Sequence, residues 1–277
     1  MCALLIRDGE PYWWNSPDIW TVPGDDPDGP PGPPQVGQPT FVWSRVHNKG
    51  RSVLDNVQVR FYWSNPATGV LRSNSTAIGT SFATVQPGTS VDVLCVTPWM
   101  PVGVNGGHVC LVAEAVHAAS PLPDPLPDAF SPPLFDQVAQ RNIDLLPMAS
   151  GLMRAVAIQI ATPARHARQS VLTVERRERG LDAALARSLG LGRRRFVPDL
   201  PVEAGLQDGP DVDCGRFDPV TKIHRDLKPG AVEAVHLVVR AGEIDRRAYG
   251  LLDVVEREAE SGAVIGGVTF VIVAREG

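Results

Sequence analysis

Two neighbouring runs of β-branched and aromatic residues constrain the fold more than any other feature of the chain. They are residues 41–46 (FVWSRV) and 57–63 (VQVRFYW), and both largely alternate apolar with polar side chains. Between them lies a polar segment, residues 47–52, that contains a glycine. Alternation with a period of two is typical of half-buried strands. The pattern therefore predicts one strand, a connection and a second strand.

The faces of these strands follow from the alternation, because successive side chains of a strand point in opposite directions. The second strand is expected to turn four side chains inward: Val57, Val59, Phe61 and Trp63. Its other face carries Gln58, Arg60 and Tyr62. In the first strand we expect Val42 and Val46 to point inward and Trp43 to pack under the Trp13–Trp14 segment.

The rest of the chain continues this pattern of short strands and turns. Glycine and proline number 26 each, and the turns include residues 65–69 (NPATG) and 86–89 (QPGT). Proline-rich loops are predicted at 23–39 and 117–135. Strand-like runs recur at intervals of roughly ten residues, which is typical of a β-sandwich.

The first half resembles the bacterial CARDB-type immunoglobulin-like domain. The resemblance covers about residues 12–146 and rests on loose strand and turn patterns: Asp18-Ile19-Trp20, 46–50 (VHNKG), 57–63 followed by Asn65-Pro66, 85–88 (VQPG), Pro98-Trp99, 107–111 (GHVCL) and 138–142 (VAQRN). It implies an immunoglobulin-like sandwich. It also implies an adhesion or accessory binding module, of a kind often appended to secreted enzymes.

The second half repeats this plan weakly. Residues 227–230 (LKPG), followed by a strand-like run at 232–240, echo 85–88 and the run at 91–96. We therefore predict an all-β protein of two tandem immunoglobulin-like β-sandwiches, 1–146 and 147–277. One short helical insertion is predicted near 181–189, because Leu181, Ala184, Leu185 and Leu189 share a helical face before Gly190.

Two groups of charged residues invite a site hypothesis. Arg193, Arg194 and Arg195, with Arg176, Arg177 and Arg179, would form an anion-binding patch, or else a solvated face interleaved with Glu175 and Glu178. Asp25, Asp26 and Asp28 would face a calcium ion, or else form a solvated acidic loop, which is favoured since the EF-hand pattern is absent.

The cysteines lack the Cys-x-x-Cys spacing of zinc sites. Cys95 and Cys110 fall in strands predicted to be neighbours, so pairing stays open, although buried free thiols are favoured. No metal and no cofactor is predicted.

Catalytic motifs fail on inspection. Residues 224–229 (HRDLKP) spell the start of a protein-kinase catalytic loop, but that chemistry needs an asparagine at position 231, which is Ala231. No Gly-x-Ser-x-Gly elbow occurs. The sequence therefore predicts no catalytic residues and a protein that is not an enzyme, with an enzyme of unseen site as the third reading.

The net charge and the hydropathy of the chain limit the classes of partner and the cellular location that we expect. A formal net charge of −5 argues against a nucleic-acid binder. The chain lacks an apolar run long enough for a membrane span, and its first residues lack the basic region of a signal peptide. We expect a cytoplasmic protein at synthesis, with later export by a non-classical route or within an assembly left open.

Two functions remain. The leading hypothesis is a non-enzymatic structural or accessory protein that acts through protein–protein contacts or self-assembly in a larger assembly. The alternative is a carbohydrate- or surface-binding adhesion module in which exposed Trp14, Trp20 or Trp99 stacks on a glycan.

Overall fold

The fold is all-β, as predicted from the strand patterns. The computed structural model describes residues 3–65, 67–102, 109–209 and 217–275. Strands and bridges make up 51% of these residues and helices 3%, which confirms the all-β class; the tandem immunoglobulin-like arrangement stays a prediction. Cys2, Pro66, His108 and Cys214, to which predictions were attached, lie outside the described residues.

The strands of the described part run, in chain order, as follows: β1 (Leu4–Leu5), β2 (Ile19–Pro23), β3 (Thr40–Asn48), β4 (Leu54–Ser64), β5 (Ser75–Val85), β6 (Ser90–Leu94), β7 (Cys110–Val116), β8 (Val138–Arg141), β9 (Ile143–Met148), β10 (Met153–Ala161), β11 (Arg168–Arg176), β12 (Arg195–Phe196), β13 (Val202–Gln207), β14 (Lys222–Leu227), β15 (Val232–Ala241), β16 (Ala248–Glu258) and β17 (Val264–Ala274). A single 3₁₀ turn spans Arg72–Asn74, and a helix, α1, spans Ala183–Ser188.

Backbone contacts group the chain into two compact units. Unit 1 comprises Met1–Ser64, Leu71–Asn142 and Asp182–Gly190. Unit 2 comprises Asn65–Val70, Ile143–Leu181 and Leu191–Gly277. The units are discontinuous in sequence, and the helix groups with unit 1. The division into domains 1–146 and 147–277 stays a prediction.

Unit 1 contains two four-stranded antiparallel sheets. In one, β3 pairs with β1 and β2 along one edge and with β6 along the other; in the second the order is β5-β4-β7-β8. Apolar side chains from both sheets form one buried cluster that includes Val46, Phe61 and Ala113. Two sheets around one core make this unit a β-sandwich.

Unit 2 also contains two sheets. One has the order β10-β15-β13; the other has the order β14-β11-β16-β17-β9, with the short β12 pairing parallel to β16. Their common core includes Ile158, Leu237 and Phe270, none of which is exposed. The long buried run of β17 explains why its sequence is apolar without alternation: both of its faces are covered.

The predicted inward faces of β3 and β4 are confirmed. Val57, Val59 and Phe61 are fully buried, and Val42 and Val46 are at most 1% exposed. Trp63 is only partly buried, but it packs against the same core.

Trp43 differs from its prediction. Its ring stacks on Trp20, the residue directly opposite it on β2, with ring centres 6.0 Å apart. Paired residues on neighbouring strands place their side chains on the same face of the sheet, which brings the two indoles together.

The helix begins and ends where its caps require. The carboxylate of Asp182 accepts hydrogen bonds from the backbone N–H groups of Ala184 and Leu185. Leu185 lies in the interior, and Gly190 terminates the segment with a φ of +72°, a conformation that favours glycine. The predicted helical insertion is therefore present, although Leu181 lies outside it.

The burial of Phe61 gives a stability test of unit 1. We expect Phe61→Ala to lower the free energy of unfolding by ~3–5 kcal/mol, because it removes a fully buried ring and leaves a cavity. Phe82→Ala is the matched control, since that ring is 58% exposed and its loss should change stability by less than ~0.5 kcal/mol. Urea denaturation of both variants measures the difference, and equal losses would contradict the assignment of the core.

Candidate functional site

Two of the three tryptophans proposed as ligand platforms are buried. Trp14 is 2% exposed and Trp99 is 5% exposed, so the prediction of exposed rings is wrong for both. Trp14 packs edge-on against Tyr12 and Trp13. The backbone of Trp99 exchanges two hydrogen bonds with Thr40, which holds its ring in the core beside Trp63.

Trp20 is half-buried, and its ring is already occupied. It stacks on Trp43 with 5° between the ring planes, and the guanidinium of Arg45 lies 5.7 Å from its centroid. The indole N–H of Trp43 donates to the backbone carbonyl of Pro27. Two side chains of β3 within unit 1 therefore already contact the ring of Trp20, which leaves less of the ring for a sugar.

Several arginines of the predicted patch already make structural contacts within unit 2. Arg176 donates to the backbone carbonyls of Leu200 and Val202. Arg177 is buried and forms a salt bridge with Asp253. Of the run itself, Arg193 and Arg195 are exposed, whereas Arg194 donates to the carbonyl of Arg246 at 2.6 Å. The anion-binding role of Arg193, Arg194 and Arg195 stays a prediction.

One aspartate of the acidic loop accepts a hydrogen bond from within the loop. The Asp26 carboxylate accepts a hydrogen bond from the backbone N–H of Asp28 at 3.0 Å, which shapes a turn. Asp25 and Asp28 are exposed. Within the described ranges no three acidic, histidine or cysteine side chains come together as a metal site would require.

Cys95 and Cys110 are free thiols and both are buried, as the sequence favoured. Burial raises the pKa of the Cys95 thiol above its ordinary value, and burial likewise raises the pKa of Cys110. Both thiols are therefore packing elements of unit 1 with little thiolate character.

A buried carboxylate that was not predicted from the sequence lies on the outer face of β4 and β7. Glu114 is not exposed at all, and it pairs with Arg60 at 3.2 Å and with Arg72. Arg72 also donates to the carbonyl of Pro127 and lies over the ring of Phe130. The proline-rich loop after β7 thus covers this end of the sheet. A lone acidic residue within the apolar run 109–116 was the signal that a buried partner exists.

β5 forms one edge of this same sheet, and that edge is open. β5 has β4 as its partner on one side, and in the described part no backbone hydrogen bond joins residues 76–84 to any other segment. Its sequence, STAIGTSFATV, has eleven residues without a charge or a proline. Phe82 stands on its outer face and is 58% exposed.

Other sheet edges in the described ranges are covered, short or carry protective residues. In unit 1, β8 is bonded by the segment of Ser16, and β6 is only five residues long and contains Asp92. In unit 2, β13 is bonded by Val220, β10 by Thr68, β14 carries Lys222, Arg225 and Asp226, and β9 contains Pro147. Charges, prolines and coverage are the usual means of preventing strand addition. β5 carries no charge and no proline, and no other segment of the described part bonds its backbone edge, although the hydroxyl of Ser81 donates to the carbonyl of Leu94.

Comparison with known proteins adds little. No family model matches the chain, and no curated protein matches it. Among solved structures, red sea bream transglutaminase is similar at 12% identity and a TM-score of 0.26, over 94% of this chain and 32% of that one. The chain thus spans about a third of the length of that protein. A likeness this loose carries no argument about fold or activity.

One prediction is nevertheless corrected by this comparison. The expectation was that the chain is not an enzyme, and a solved structure that matches it, the transglutaminase, is that of an enzyme. That expectation rested on the absence of familiar catalytic motifs. Such motifs are short, so they cannot reveal an active site that is built from residues distant in sequence. Among the described residues, no helix is long and apolar enough to cross a membrane.

Removing Arg72 tests the buried carboxylate. We expect Arg72→Met to lower the stability of unit 1 by about 3 kcal/mol, because the buried carboxylate of Glu114 then loses one of its two arginine partners. Arg45→Met is the control: its pair with Asp92 is about 40% exposed on both sides and should contribute less than ~1 kcal/mol. Denaturation midpoints that fall equally in both variants would contradict a special role for Glu114.

Thiol labelling tests the burial of the cysteines. In a Cys2→Ser, Cys214→Ser background, Cys95 and Cys110 should react with Ellman's reagent only after unfolding. Their raised pKa values also leave less thiolate at mildly alkaline pH than an ordinary cysteine has. Absorbance measured with and without denaturant checks this, and rapid labelling of the folded protein would show that unit 1 opens there.

Proposed function

We propose that this chain is a structural or accessory protein that acts through protein–protein contacts, as a component of a larger assembly. In this proposal its two halves, 1–146 and 147–277, are immunoglobulin-like sandwiches, and the first is related to CARDB-type domains. The two-sheet construction of each unit supports the proposal, as does the antiparallel pairing throughout unit 1. Sandwiches of this kind present loops and sheet edges for binding.

The observation that carries the proposal is the open edge of β5. A strand with free backbone N–H and C=O groups binds another extended segment by continuing the sheet. The main-chain hydrogen bonds supply affinity, and side chains on alternate positions supply specificity. Phe82 on the outer face is an apolar anchor of the kind that is enriched at interfaces.

The glycan-binding alternative has less support. It needs an aromatic ring with a free face, and Trp14 and Trp99 are in the core. The ring of Trp20 packs against Trp43 and Arg45. The partner proposed here is therefore a protein.

Capture of partners by the full chain tests the proposed function. Extracts of the source cells would be incubated with the tagged protein, and captured proteins identified by mass spectrometry. We expect one or more partners whose capture is lost in Phe82→Lys, because a charge at the edge opposes strand addition. Leu134→Lys is the matched control, since it places the same charge on a side chain that is 75% exposed in the loop after β7. Capture that is identical for both variants would rule out the β5 edge as the contact.

A further inference from the structure

Only a short part of the open edge of β5 is regularly paired with β4, and Phe82 lies within it. Pairing between β4 and β5 is interrupted by an irregularity between Gly79 and Ala77, whereas from Gly79 to Ala83 each residue has a direct partner on β4. The carbonyl of Val85 already accepts a hydrogen bond from the side chain of Asn48. A second irregularity lies at Thr84, because Val85 pairs with Leu54 whereas Ala83 pairs with Val57.

Two side chains of the segment are engaged: Ser81 Oγ donates to the carbonyl of Leu94, and Thr84 Oγ1 donates to the carboxylate of Asp55. Residues 80–84, with Phe82 in the middle, are therefore a segment whose backbone edge is open in the described part, and 80–83 is its regularly paired portion.

This segment is complementary to itself. When two identical strands pair about a twofold axis perpendicular to their sheet, they run antiparallel, and each residue meets its mirror position in the other copy. With Phe82 at the centre, Phe82 faces Phe82, Thr80 faces Thr84, and Ser81 faces Ala83. Aromatic pairs and threonine pairs are favourable across antiparallel strands.

The charges also permit this pairing. The chain has a formal net charge of −5, which opposes the association of two copies, but β5 itself has no charged residue. Asp55 contacts the segment only at one end, through the hydroxyl of Thr84. A twofold arrangement places the two Asp55 side chains at opposite ends of the ladder, so like charges do not face each other.

A second exposed apolar side chain lies next to the same edge. Cys95 Sγ and Thr97 Oγ1 lie 2.9 and 3.0 Å from the position that a Cβ on Gly79 would occupy, so the 95–97 segment crosses close to β5. Val96, between these two residues, is 68% exposed. Val96 thus lies in a segment that passes β5 at Gly79, one residue before the proposed ladder begins.

From these observations we propose that the partner at β5 is a second copy of this chain. Residues 80–84 of two copies pair antiparallel about a twofold axis at Phe82, which joins two β5-β4-β7-β8 sheets into one continuous sheet. This inference rests on the proposed function, because it names the partner for the same edge. A ladder of five residues is smaller than a standard stable interface, so the dimer is expected to be weak and to depend on concentration.

Sedimentation velocity on the full chain over a wide range of concentrations tests this dimer. We expect a monomer–dimer equilibrium whose dissociation constant rises at least about tenfold in Phe82→Lys, which places two ammonium groups opposite each other and removes the aromatic pair. Leu134→Lys should leave the equilibrium unchanged. Circular dichroism and melting curves of each variant confirm that it is folded.

Mixing two variants makes the test specific for the twofold pairing. F82K and F82E should each be monomeric alone, and an equimolar mixture should dimerise again, because a lysine then faces a glutamate. Failure of the mixture to dimerise would overturn the pairing at Phe82, and a similar loss in L134K would overturn the role of the edge.

A wild-type chain that stays monomeric at every concentration would overturn the inference outright. In that case capture of a different protein, lost in F82K, would still support the proposed function. Loss of both results would end both proposals.

Discussion

Every strand at the edge of a sheet leaves backbone N–H and C=O groups without a partner, and the construction of both units depends on how those groups are satisfied. Water serves an exposed edge, but a long exposed edge also invites another strand. In this chain most edges in the described part are closed: the 14–16 segment bonds to β8, Val220 bonds to β13, and Thr68 bonds to β10. β5 differs from them in being long, neutral and open.

Buried ion pairs hold the covering segments in place. In unit 1, Glu114 binds Arg60 and Arg72 beneath the proline-rich loop. In unit 2, Glu256 binds Arg168 at 2.7 Å and accepts from Ser170 at 2.6 Å, while its other oxygen bonds to Thr68. A buried carboxylate is tolerated only when it is fully paired, so these contacts fix the position of each segment more than they add to stability. The 65–70 segment is held to unit 2 in this way.

The sequence predicted the fold class and the core of β3 and β4 because period-two alternation depends on local chemistry that single residues reveal. It also placed the helix within two residues, since apolar residues recur at helical spacing before Gly190. The exposure of Trp14 and Trp99 was predicted wrongly because long-range packing decides the burial of an aromatic ring. The Glu114 cluster joins residues up to 54 positions apart, and only the fold brings Arg60 and Arg72 to the same carboxylate.

The open edge was visible in the sequence only in part. From the sequence only residues 77–79 were a strand candidate, whereas the strand spans 75–85, and whether a strand lies at an edge depends on the order of the sheet. Binding contacts were therefore predicted for tryptophans and arginines, because large aromatic and charged side chains are easy to recognise in a sequence. The contact proposed from the structure is instead the backbone edge of β5, where most side chains are small and the main chain would make the hydrogen bonds.

Hydrogen–deuterium exchange of residues 80–84 tests the central claim most directly, because it reports on the edge amides themselves. The account predicts that amides of this segment that exchange quickly in dilute protein become protected as the concentration rises, while amides of the loop around Leu134 do not change. Exchange at residues 80–84 that is equally fast at all concentrations and with every captured partner would contradict the claim that β5 is a contact surface.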